Sequence, residues 1–166
     1  MFNTNVYSGT DGTLTLSNPV GIEEDSWGSY FGEVAEVGRV TNIAISVNTT
    51  IRAFHELGSH LARELRAGSV SIEGTIERAY INGAMLMLML GKASSEEEKG
   101  PLKIPSFDMK IALDNLTPEG DSGNSLLTVY GVMFDRWQFT LSQDDFLLEN
   151  LSFKARRIAI LDIDAG

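Results

Sequence analysis

The chain has 166 residues, 43 % apolar and 22 % charged, enough for one domain to bury a core without metals or cross-links. It contains no cysteine, which excludes disulfides and thiolate chemistry and suits assembly in a reducing cytoplasm. Thirteen basic against 23 acidic residues leave a net charge of −10, which opposes nonspecific adhesion to nucleic acid, although an acidic wall can still surround DNA without gripping it.

Met1–Thr10 carries neither the basic start nor the apolar run of a secretory signal. Residues 1–36 read as an arm, with a small hairpin at Thr13–Ser17 and, after Asn18-Pro19, an acidic, glycine-rich segment over Gly21–Gly32. Trp27, Tyr30 and Phe31 lie there in a polar setting that predicts solvent. They are therefore expected to dock, either onto the end of their own barrel or onto a neighbouring subunit.

From Thr41 to Arg52 the pattern is strict: Ile43, Ile45, Val47, Thr49 and Ile51 alternate with Asn42, Ala44, Ser46, Asn48 and Thr50. Val70, Ile72, Gly74 and Ile76 alternate likewise with Ser71, Glu73, Thr75 and Glu77, and Phe107, Met109, Ile111 and Leu113 with Asp108, Lys110, Ala112 and Asp114. Such half-wet strands belong to antiparallel sheets, because parallel strands are usually covered on both faces. Between the first two strands, Ala53–Gly68 exceeds the roughly two to five residues of a normal hairpin loop. It holds Phe54, Leu57, Leu61 and Leu65 at spacings of three and four, which form one apolar stripe if the segment becomes helical or compact, rimmed by His55, Glu56, Arg63, Glu64 and Arg66.

Residues 82–90 predict the one helix. Ala84–Leu90 has no β-branched residue, Asn82 is placed to cap it and Gly91 to stop it, and its all-round apolar surface implies burial. At seven residues it is also far short of the ~20 of a membrane span, so no membrane partner is expected. The longest patterned stretch, Leu126–Leu141, would reach ~50 Å if extended. A compact domain of this size is only ~40 Å across, so the hairpin it forms with Phe146–Ile160 must bend sharply or reach beyond the domain. Gly131, Met133, Trp137 and Phe139 share one parity while Tyr130, Val132 and Phe134 hold the other, which reads as coverage on both faces in the first half. A change of parity between Leu151-Ser152-Phe153 and Ile158-Ala159-Ile160 predicts a β-bulge near Arg156.

Catalytic groupings are not visible. His55-Glu56-Leu57-Gly58-Ser59-His60 has the look of a zinc-protease signature, but that chemistry needs histidines four apart on one helical face. These are five apart with Gly58 between them, and they are the only two in the chain. The acids of Glu96–Glu98, Glu119–Asn124 and Asp144-Asp145 read as solvated loop and turn chemistry. No metal, cofactor or enzymatic activity is expected, and nothing in the spacing argues for a hydrolase with dispersed carboxylates.

The order of features, namely the strand Thr41–Arg52, the long loop, Ser69-Val70-Ser71-Ile72-Glu73-Gly74-Thr75-Ile76, the helix, Pro105-Ser106-Phe107-Asp108-Met109 and the hairpin with Tyr130-Gly131-Val132-Met133-Phe134, resembles a bacteriophage tail tube protein or the inner tube of a contractile injection system. The resemblance covers roughly residues 37–161 of a single domain. It implies a mainly β protein, an antiparallel β-sandwich or β-barrel with one flanking α-helix and a long inter-strand loop. It also implies homohexameric rings stacked into a hollow conduit for genome delivery, located in the virion tail after assembly in the host cytoplasm. The implied partners are further copies of the chain, tail sheath or terminator and baseplate proteins, with DNA only as transient cargo in the lumen. On that resemblance Asn42, Ser46, Asn48, Glu73, Thr75 and Glu77 would face the lumen, and Phe54, Leu57, Leu61, Leu65 and Arg66 would contact the next ring. Trp27, Tyr30 and Phe31 would serve as the docking arm between subunits. The competing reading is a monomeric β-barrel or jelly-roll binding module with its pocket between sheet and helix.

Overall fold

The period-two alternation is realised as eight strands and one short helix in a computed structural model, which describes residues 12–20, 34–36, 40–80, 83–91, 100–101, 104–116 and 122–163. The elements are β1 Gly12–Val20, β2 Val34–Glu36, β3 Val40–Phe54, β4 Glu64–Ala79, α1 Ala84–Leu90, β5 Ser106–Leu116, β6 Ser122–Thr140, β7 Leu148–Ala155 and β8 Arg157–Ile163. All the strand pairings are antiparallel, and the strands form one curled half-barrel sheet in the order β2-β1-β5-β6-β7-β4-β3, with β8 also pairing β6. The fold is thus the mainly β, antiparallel class that the alternation predicts.

The long hairpin bends; it does not project. Nineteen residues of β6 run through both halves of the sheet, pairing β8 up to Tyr130, β5 up to Val132 and β7 from Met133 onward. Gly131, at φ 63°, makes the turn between the halves, and its N–H donates to Asp108 Oδ1 at 3.1 Å. Opposite, Arg156 separates β7 from β8 and its N–H donates to the Tyr130 carbonyl at 3.0 Å. The expected irregularity near Arg156 is therefore present. The mixed parity of β6 has two causes: Thr128 and Val129 are both buried, and register shifts near Gly131 and between Phe134 and Arg136 exchange the faces.

The core draws side chains from both halves of the sheet. Leu16, Met109, Val129, Val132, Phe107, Phe134, Phe153, Leu151 and Ile76 are essentially inaccessible there, with Leu88 and Met85 of α1 packed onto them. The expected helix is present. Its cap is Gly83 without a side-chain hydrogen bond, while Asn82 lies outside the described residues; Gly91 ends it at φ 61°, donating to the Met87 carbonyl. Thr13–Ser17 is not a small hairpin of its own: it lies inside β1, which pairs β2 and β5 and places Leu14 and Leu16 in the core.

Gly74 sits on the core face of β4, opposite Ile45 and Phe153, and the Phe153 ring covers it. A Cβ there would lie 2.3 Å from the Ala44 carbonyl oxygen and 2.5 Å from Phe153 Cζ. Because one of those neighbours is backbone, Gly74→Ala is expected to cost about 1–3 kcal/mol by overpacking, measurable as a lower urea midpoint at unchanged slope.

The expected long loop is strand at both of its ends and shorter than expected. β3 continues to Phe54 and β4 begins at Glu64, leaving residues 55–63 as the connection. Ser59 N–H donates to the Glu56 carbonyl, Arg63 N–H to the Phe54 carbonyl, and Arg63 pairs with Glu56 at 3.0 Å. No helical stripe forms. Phe54 faces Glu64 on one side of the ribbon while Leu65 lies opposite Ala53 on the other.

Candidate assembly surfaces

The four strands β3-β4-β7-β6 present one polar face, built in cross-strand rows. Asn42, Glu77, Asn150 and Gln138 form one row; Ala44, Thr75, Ser152 and Arg136 the next; Ser46, Glu73, Lys154 and Met133 a third. Asn48 and Ser71 lie opposite each other beyond them. All six residues expected to line a lumen share this face. Asn42, Ser46, Asn48, Glu73 and Thr75 are exposed, and Glu77 is half-buried with its Oε1 accepting from Thr41 Oγ1 at 2.8 Å. With Asp135 beside Glu73 and Arg156 beside Gly131, the face carries three acids and three bases. The excess negative charge of the chain lies elsewhere.

Both edges of this four-strand region lack a strand partner among the described residues. β3 pairs only β4 along its fifteen residues, and β6 over Met133–Thr140 pairs only β7. Open edges of this length are templates for pairing with another chain.

The β3–β4 ribbon outruns the core. On its inner face Ile43, Ile45, Ile72 and Ile76 pack below, but Val47, Ile51 and Val70 are 50 %, 64 % and 60 % exposed, and Leu65 continues the row. Leu57 and Leu61 in the turn are exposed, as is Phe54 on the opposite face beside Arg52 and Arg66. Arg66 pairs with Glu64 at 3.0 Å, whereas Arg52, directly across from Arg66, makes no ion pair or hydrogen bond among the described residues. The structure brings Phe54, Leu57, Leu61, Leu65 and Arg66 to one protruding tip but divides them between its faces. Trp27, Tyr30 and Phe31 lie outside the described residues.

The sequence reading missed the charges buried under the far end of the same sheet. Arg78 and Glu149, neighbours across β4 and β7, form an ion pair with both side chains almost fully enclosed. Trp137 Nε1 donates to Glu149 Oε2 at 2.9 Å, Trp137 stacks on Phe139, and Tyr80 meets Phe139 edge-on. Only alternation could have signalled this: Arg78 continues the Ile72, Gly74, Ile76 parity.

No family model and no curated protein matches the sequence. Solved structures do match. The chain is similar to the tube-terminating cap of the anti-feeding prophage, with TM-score 0.65 and 10 % identity over 98 % of this chain and 95 % of that one. It is similar to a protein of the six-fold symmetrised baseplate of the same particle, with TM-score 0.60 and 15 % identity over 96 % and 97 %. It is similar to the SPP1 tail tube, with TM-score 0.56 and 11 % identity over 96 % of this chain and 80 % of that one. Through the curled antiparallel sheet, the short helix packed on it and near end-to-end alignment, the chain has the fold of the tube, cap and baseplate proteins of phage tails and injection systems.

Proposed function

We propose that this chain is a structural, non-enzymatic subunit of a tail tube, assembling as hexameric rings that stack into a hollow conduit. The observation that carries this reading is the β3–β4 ribbon, whose apolar core face continues past the core and stays exposed, with nothing among the described residues packed over it. A monomeric binding module leaves that surface unexplained, as it leaves the two open edges of one sheet. Edge pairing of β3 from one copy with β6 Met133–Thr140 of the next closes a ring, puts the polar face inside, and leaves the ribbons projecting along the axis. The six-fold symmetry of the prophage baseplate containing a similar protein supports six copies per ring. Sheath, terminator and baseplate proteins are the further partners of such a tube, in a particle assembled in the host cytoplasm, with DNA as its passing cargo.

Replacing Leu57 and Leu61 by serine is expected to leave a soluble subunit with native circular dichroism and to abolish stacking seen by negative-stain microscopy. Each leucine is an anchor worth about 1.5–3 kcal/mol per copy when buried, repeated around the ring. Long tubes from the double variant would remove the tip from the stacking role, and a wild-type species of 18.1 kDa that never associates would overturn the whole reading.

The polar face gives a separate test. Glu73→Lys with Glu77→Lys is expected to leave folding and tube formation in place while adding salt-sensitive retention of DNA, because counterions are released when phosphates are neutralised. Unchanged DNA retention by assembled variant tubes at low salt would place these side chains outside the channel.

A further inference from the structure

Resting on the tube reading, the geometry points to a specific receiving surface for the ribbon tip: the β6–β7 turn, residues 141–147, at the opposite end of a second copy. The two ends of β3-β4-β7-β6 differ in kind. At one end, a groove of about 560 Å³ is lined by Arg52, Ala53, Phe54, Glu64 and Arg66. Residues 52–66 hold three arginines against two glutamates, an island of positive charge in a chain of net −10. Both glutamates are engaged by Arg63 and Arg66, so Arg52 is the charge left without a partner among the described residues.

At the other end, past Ala79 and Leu148, the chain turns through Leu141-Ser142-Gln143-Asp144-Asp145-Phe146-Leu147. Leu141 and Phe146 are 76 % and 84 % exposed. The Asp145 carboxylate accepts from the Phe146 N–H at 2.8 Å, which fixes the turn, while Asp144 has no partner among the described residues. An acidic, aromatic turn thus stands opposite a basic groove with an aromatic wall. From the level of Val40 to Phe54 the ribbon spans about 45 Å, so one subunit cannot join its own two ends. Contact between unlike ends of identical subunits is heterologous, and stacked along the sheet's long direction, where no rotation closes it, it propagates as an open filament. The occupant of the groove is therefore Asp144–Phe146 of the copy above or below, with Arg52 facing Asp144 and the apolar side chains of tip and turn packed together.

The absence of native cysteine makes the test direct. The full chain carrying Arg52→Cys and Asp144→Cys, oxidised at assembling concentration, should give a ladder of covalent multimers on denaturing gels, reversed by reductant. The two positions lie at opposite ends of one subunit, so only a contact between copies can link them. A second arm uses charge: Asp144→Lys with Asp145→Lys should raise the concentration needed for tubes by about tenfold or more in low salt, and adding Arg52→Glu should restore it. Wild-type tubes that form while the cysteine variant gives only monomer, or a charge variant that assembles like wild type, would overturn the pairing while leaving the tube reading standing. Failure of wild-type chains to associate would instead overturn the tube reading, and the pairing with it.

Discussion

Replacing Glu149 with alanine is expected to lower the stability of the folded subunit by about 3–5 kcal/mol, among the largest effects of any single polar change in the chain. Glu149 is 0 % exposed and accepts from Arg78 through one carboxylate oxygen and from the Trp137 indole N–H through the other. Removing it strands an arginine whose side chain is 4 % exposed and whose Nη2 already lacks a partner among the described residues. A buried guanidinium without its counter-charge meets a desolvation cost that nothing nearby offsets, and the indole donor loses its acceptor as well. Urea denaturation followed by tryptophan fluorescence measures the loss. Glu149→Gln, which keeps an acceptor for Trp137 but no charge, should fall between the two. Near-wild-type stability for the alanine variant would mean that water reaches Arg78. Replacing both charges with apolar residues of similar size is expected to recover most of the loss, since a buried pair is costly mainly when half of it is removed.

Leu88→Ala is expected to cost about 2–5 kcal/mol. Leu88 is fully buried where α1 lies on the sheet, in one cluster with Val129, Val132 and Phe134 of β6. The deleted methyl groups lose their transfer free energy and leave a cavity that a rigid sheet cannot close. A seven-residue helix has almost no stability of its own, so its position depends on this contact. Leu88→Asp should prevent soluble folding. Normal melting temperatures for both variants would show that the helix is not part of the core.

Much of the sheet was legible because alternation is a local signal. Ile43, Ile45, Ile72, Ile76, Phe107, Met109 and Ile111 all occupy the face that their spacing predicts, and the Met-Leu run forms the helix that its lack of β-branched residues favours. The break near Arg156 was readable for the same reason, since a bulge shifts parity where it occurs. The ribbon tip was not. An extra residue in β4 between Ala67 and Val70 shifts the register there and interrupts the alternation, and Phe54 and Leu65 on opposite faces of the strand pair, with Leu57 and Leu61 in the turn between them, mimic the spacing of a helix.

Composition and periodicity by themselves determined that this chain makes half-wet antiparallel strands with one buried helix, because those properties depend on residues within a few positions of one another. Only the tertiary structure decided that the β6–β7 hairpin bends inside the subunit while β3–β4 reaches out. That choice rests on Gly131 adopting φ 63° against Asp108, a contact 23 residues apart, and on the core ending below Val47. It likewise decided that Arg78 and Glu149, 71 residues apart, are buried together and that Arg52 and Asp144 stand at opposite ends of one sheet. Such pairings arise from how strands are ordered and registered across the sheet, and no local pattern encodes that order.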